Sequence, residues 1–129
     1  MIERTNAPAL SQPPGYSHVV VASGSRLVTT AGAVPLDAEG NLVGAGDLLV
    51  QARQTLENLA SALEAVGARG RDVIKTTVYV VAGERAELSD VWVVVRESGM
   101  AGAASTLLGV SMLAVEGQLV EIEAMAVLE

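Results

Sequence analysis

Two carboxylates, Glu121 and Glu123, stand one residue apart in a stretch, residues 118 to 128, whose apolar and polar residues alternate. In a strand that spacing puts both acids on one face with Cα atoms about 7 Å apart, where they could position and deprotonate a water molecule. Solvated strand acids are the plainer alternative. Lys75, Thr77 and Tyr79 share a strand face in the same way. A desolvated lysine there could serve as a base or Schiff-base amine, against the simpler reading of a solvated charge. Tyr16 closes a proline-containing stretch, and His18, the one imidazole in the chain, follows two residues later on the same side of an extended segment. The histidine suits proton transfer near neutral pH. It equally suits a surface strand, as Tyr16 suits a packing anchor for the prolines.

Several other chemistries are absent from the sequence. There is no cysteine, so disulfides, thiolate nucleophiles and thiolate metal sites are excluded. One histidine cannot make a histidine-rich metal centre, and no Gly-x-Ser-x-Gly elbow, Walker loop or dinucleotide fingerprint occurs. No cofactor is called for. Eight Lys and Arg, of which only Lys75 is a lysine, against fifteen Asp and Glu give a formal charge of −7, which disfavours nucleic acid as a partner. No apolar run reaches the ~18 residues that cross a bilayer. The expectation is a soluble, cytoplasmic protein, a single domain over residues 1–129.

These residues need elements to hold them. Pro8, Pro13 and Pro14 predict an extended arm over residues 1–16. Residues 17–23 and 26–34 are rich in Val and Thr, and Gly24-Ser25 between them predicts a β-hairpin. Asp37 to Asn41 gathers turn formers. From Asp47 to Val66 the period changes: Ala52, Leu56, Leu59, Leu63 and Val66 make one helical stripe, with Asp47 as N-cap and Gly67 as the left-handed cap. Val73 to Val81 reads as a strand. Residues 84–98 carry both signals, and helix is preferred because Leu88, Val91, Trp92 and Val95 fit one face, with Gly99 ending it. Residues 105–113 and 118–128 complete the order β-β-α-β-α-β-β, an α+β fold with one mixed sheet and both helices on one of its faces.

The segments Gln51 to Leu59 (QARQTLENL), Lys75 to Val80 (KTTVYV) and Val120 to Val127 (VEIEAMAV) resemble the RidA/YjgF family of reactive-intermediate deaminases, and the resemblance runs from Thr5 to Leu128. Thr30-Ala31-Gly32 with Pro35 is similar to the family's strand and turn beside the substrate. The resemblance implies a chorismate-mutase-like fold, a homotrimer with clefts between subunits, and hydrolysis of 2-aminoacrylate and related imines to 2-keto acids and ammonia. It also implies a substrate shell of Tyr16, Gly32, Ser105, Thr106 and Leu107, the last through its carbonyl, with Glu121 rather than Glu123 holding the attacking water. Gly32 would let backbone approach a ligand, or serve only close packing. An endoribonuclease label found in the family is disfavoured here by the −7 charge and three aromatic residues.

One departure bears on function. Family deaminases hold the substrate carboxylate with an arginine in a Pro-Ala-Arg-Ser/Thr segment, and the aligned stretch is Ala103-Ala104-Ser105-Thr106. A guanidinium offers a charged fork, whereas a serine hydroxyl offers one neutral donor on a shorter arm. Three readings stay open: a RidA-like hydrolase with an altered substrate range, in which Ser105 and Glu121 act on neutral or bulkier imines; a non-catalytic, regulatory trimer that binds a small metabolite; and a pathway enzyme doing cyclisation or tautomerisation in the same cleft. Arg26 and Arg96 are candidates to replace the missing cation. Removing a charged hydrogen bond costs about 1.5–3 kcal/mol, so turnover of small anionic imines is expected to fall at least about tenfold below that of an arginine-bearing relative. Ser105→Arg is expected to raise it where the cleft admits the longer side chain, and steady-state rates on imines generated from amino acids check both.

Overall fold

A computed structural model describes residues 1–129. Its elements are β1 (Ile2–Thr5), β2 (Val19–Ala22), β3 (Arg26–Thr29), α1 (Leu48–Glu64), a single 3-10 turn (Gly70–Asp72), β4 (Val73–Val81), α2 (Arg85–Arg96), β5 (Ala104–Val110) and β6 (Val120–Leu128). Four strands form a mixed sheet in the order β3-β6-β4-β5, with β4 and β5 parallel and the other neighbours antiparallel. The α+β class and its layering are as expected: α1 packs on β6 and α2, and α2 on β5.

The helices form where their patterns and caps coincide. Asp47 accepts from the Val50 N–H at 3.1 Å, and Ala52, Leu56, Leu59 and Leu63 are buried along one stripe. Gly67, at φ +79°, closes α1: its N–H bonds the Glu64 carbonyl, and the next N–H, of Ala68, reaches back to Leu63. Val66 was expected on the stripe and is instead 48% exposed, because it falls in this terminal turn after the helix has ended. In α2 the helical period overrides the local β-propensity of the valine run. Val91 and Val95 are buried one turn apart, and Glu87 Oε1 accepts from the N–H groups of Gly83 and Glu84. The helix ends at Arg96, three residues before Gly99.

Two expectations are corrected. Residues 17–23 and 26–34 do not form a hairpin across Gly24-Ser25. β2 pairs instead with β1, in a two-stranded ribbon with Ile2 opposite Ala22, so the arm contains a strand and the chain has one more strand and one more sheet than predicted. Gly24 is needed for contact, not for a turn, since a Cβ there would fall on the Leu128 carbonyl; β3 is claimed by β6, with Arg26 opposite Leu128. The ribbon's other end is tied down by Ser17, whose N–H bonds the Ala103 carbonyl and whose hydroxyl bonds that of Gly102 at 2.6 Å.

The core lies between the helices and the alternate residues Val78, Val80, Val120, Ile122, Ala124 and Ala126. Two amides clamp the loops around it. Gln51, fully buried, donates to the carbonyls of Gly44 and Gly117 and accepts from the Leu119 N–H at 2.7 Å. Asn58 donates to the carbonyls of Val34 and Leu36 and accepts from Gln54. Thr55, between them on α1, is buried with its hydroxyl unpartnered. Gln51→Leu is expected to leave two backbone groups unpaired, the Gly117 carbonyl and the Leu119 N–H, and to lower stability by about 2–4 kcal/mol, read as an earlier urea midpoint at equal protein concentration with an unchanged slope.

Candidate functional site

The β3–β6 pairing carries the first part of the site. Thr29 lies opposite Met125 and the Thr30 N–H bonds the Ala124 carbonyl, but the next bonded pair is Ala33 with Ile122. Three steps on one strand thus match two on the other, a β-bulge at Ala31–Gly32. The predicted strand over 26–34 is therefore regular only to Thr29. The bulge brings Gly32 under Glu121: a Cβ on Gly32 would land on the Glu121 carboxylate. Of the two explanations offered for this glycine, close packing is the one the structure bears on, and what packs against it is the Glu121 side chain. Gln118, itself buried, donates to Glu121 Oε1 at 3.1 Å and to the Val120 carbonyl. The acid is held at one oxygen and has its other against the bulge.

The second part lies at the far edge of the sheet. Pro14, Tyr16, Trp92, Ser105 and Leu107 line a cavity of about 250 Å³ between β5, α2 and the arm. The Trp92 indole N–H donates to the Pro14 carbonyl at 2.7 Å, and the Tyr16 ring meets Trp92 edge-on at 6.0 Å. Ser105 does not aim its hydroxyl into this space alone. Its Oγ lies 2.5 Å from that of Thr76 and 3.4 Å from the Ala103 carbonyl. Leu107 also lines the cavity. The stem of Arg96 lies against Gly15 beside this cavity but does not line it, and Arg26 is at the ribbon end of β3.

The expected cleft is not assembled within one protomer. Ser105 pairs with Thr76 on the buried side of the sheet, whereas Glu121 pairs with Tyr79 on the bare side. Two strand spacings and three residues of rise separate their Cα atoms by about 14 Å. Thr106 sits apart from both, on the bare face, where its hydroxyl accepts from Lys75 Nζ at 2.9 Å. That face also holds a cavity of about 360 Å³ lined by Lys75, Thr77 and Glu123 among others. His18 Nδ1 accepts from the Ala7 N–H and its own N–H donates to Asn6, so it pins the arm. Sequence reading missed Trp92, Gln118 and Thr76 as parts of the site. Only the scarcity of aromatics, three in the whole chain, singled out Trp92.

The fold is that of a small α+β protein of the Rid type. A family model described as Endoribonuclease L-PSP matches residues 5–128. A 2-iminobutanoate/2-iminopropanoate deaminase of Salmonella typhimurium is 39% identical over 79 residues, 61% of this chain and 58% of the relative. A RutC family protein of Pyrococcus horikoshii is 40% identical over 75 residues, 58% of this chain and 56% of the relative. The match thus spans less than two thirds of either relative. Among solved structures, the Rid-family protein YyfB of Yersinia pestis, described as of unknown function, superposes with a TM-score of 0.91 at 36% identity over 98% of each chain. The YjgF gene product of Escherichia coli does so at 0.65 and 30% identity, over 95% of this chain and 93% of that one. The chain belongs to the endoribonuclease L-PSP family, the RidA/YjgF family its sequence resembles.

Tyr79 distinguishes the two acids. Its hydroxyl donates to Glu123 Oε1 at 2.6 Å, whereas Glu121 accepts from the Gln118 amide, so the two acids have different partners. The hydrogen bond to Glu123, with loss of hydration and the nearby acid charges adding to it, raises the phenol above its ordinary value of 10.0. A phenol with a raised folded pKa contributes stability below its unfolded value and loses it as pH climbs through the folded one. One of the two tyrosines is therefore expected to ionise above pH 10.0 in a phenolate absorbance titration. Tyr79→Phe should remove that late transition and flatten the loss of stability above the same pH.

Proposed function

We propose that the chain is an imine or enamine hydrolase whose site forms between copies, the Tyr16–Ser105–Leu107 edge of one meeting the Gly32–Glu121 edge of the next. The observation that carries this reading is the Glu121 carboxylate fixed by Gln118 over a glycine bulge, with Ser105 on the other side of the sheet. Relatives that bear the name 2-iminobutanoate/2-iminopropanoate deaminase support the reaction class. Glu121 would take a proton from water as the oxygen adds to the C=N carbon. Returning protons to nitrogen then releases ammonia and leaves the carbonyl product. Thr106 and Lys75 would lie beside this cleft on the bare face.

The two edges are different surfaces, so a head-to-tail contact between them can repeat from copy to copy and close into a ring. A homotrimer is the proposed assembly. Exposed Leu27, 64% accessible on edge strand β3, and an apolar depression of about 500 Å³ beside it supply surface for such a contact. The inward hydrogen bonding of Ser105 favours the second reading, a trimer that binds a small metabolite without turning it over. Light scattering should give about three times 13.2 kDa. Tyr16→Ala and Glu121→Gln chains, each inactive alone, should regain imine turnover when refolded together, because some mixed clefts then carry both native edges. A monomer, or no recovery on mixing, would sink the shared site. Binding without turnover by the native protein would select the metabolite-binding reading.

A further inference from the structure

The cavity at the β5 edge has the wrong chemistry for a carboxylate and the right chemistry for hydrocarbon. It is lined by Pro14, Tyr16, Trp92 and Leu107, with Ser105 the one small polar residue among them. The polar groups there are largely committed: the indole N–H to Pro14, the Ser105 hydroxyl to Thr76 and Ala103. Only the Tyr16 hydroxyl has no partner within the chain, and no lysine or arginine lines the space. At about 250 Å³ the cavity exceeds the ~150 Å³ that takes up a benzene ring in a protein interior. The Trp92 ring cannot swing away without giving up its bond to Pro14, which the next two residues, Gly15 and Tyr16, tie to the ring that meets it.

We infer that Trp92 is a specificity-determining residue, and that with Tyr16 it forms a pocket for the apolar side chain of the substrate, branched aliphatic or aromatic. This rests on the imine-hydrolase reading for the head group at Glu121, and it assigns the opposite end of the ligand. Residue 105 then serves as pocket floor, where a longer cationic side chain would fill the space that the hydrocarbon takes.

The test uses the full-length protein and neutral 2-oxo amides that share one head group: 2-oxopropanamide, 4-methyl-2-oxopentanamide and 3-phenyl-2-oxopropanamide. Trp92 is the chain's one tryptophan, so its fluorescence reports the pocket directly. The two larger amides should quench it and bind at least roughly fifteen- to sixtyfold tighter than the smallest, two to three buried methylenes at about fourfold each. By calorimetry, Trp92→Ala should bring the larger amides down to the affinity of the smallest, and Trp92→Phe should keep most of the preference. Equal affinity across the series, no binding of any amide, or a preference that survives Trp92→Ala in a protein of native mass and circular dichroism would overturn the inference. Imine turnover with no size preference would overturn it while leaving the hydrolase reading intact. Size-selective binding without turnover would do the reverse.

Discussion

The sheet is covered on one side only, and alternation along its strands then decides where everything else can go. Each residue on β6 is committed to a dry row or a wet one: Val120, Ile122, Ala124 and Ala126 under the helices, Glu121, Glu123 and Met125 on the bare face. The neighbouring strands must follow in register, so β4 divides into Thr76, Val78 and Val80 against Lys75, Thr77 and Tyr79. A one-residue slip would put acids into the core. The same rule that stabilises the layer keeps Ser105 and Glu121 on opposite sides of it. A site needing both therefore needs a second copy of the chain.

Much of this was legible in the sequence because it is periodic. The α1 stripe as far as Leu63, its Asp47 and Gly67 caps, and the two rows of β6 are each written at fixed spacing, and the structure reproduces them. The competing signals in residues 84–98 were resolved by burial of Val91 and Val95, which local propensity does not report. Strand pairing was less legible. Gly24-Ser25 has turn composition, yet whether β2 turns back on β3 or joins β1 depends on what else competes for β3, and β6 does. Partner choice among strands is a property of the whole chain.

Candidate site residues could be picked out in the sequence, but not how the fold arranges them. Tyr16, Ser105 and Leu107 do share a cavity, and Gly32 does lie with Glu121. That the groups are separate, and that Thr106 belongs with Lys75, follows from a register no single segment contains. The QARQTLENL segment, which carries much of the family resemblance, proves to be partly a fastening: Gln51 and Asn58 hold the loops at residues 34–36, 44 and 117–119 to α1. Those loops flank the bulge and Gln118, so the fastening sets the frame in which Glu121 is held.

The bulge at Ala31–Gly32 makes the length of the chain itself part of the chemistry. Because residues 30 and 33 face residues 124 and 122, the segment is one residue longer than a regular ladder requires. Shortening it by one would let β3 and β6 pair without interruption, giving a smoother and more ordinary edge. It would also remove the place where a carboxylate can lie flat on the backbone. In this fold a perfect strand and a carboxylate laid over the backbone are alternatives, and the choice between them is made by the count of residues together with the glycine at position 32.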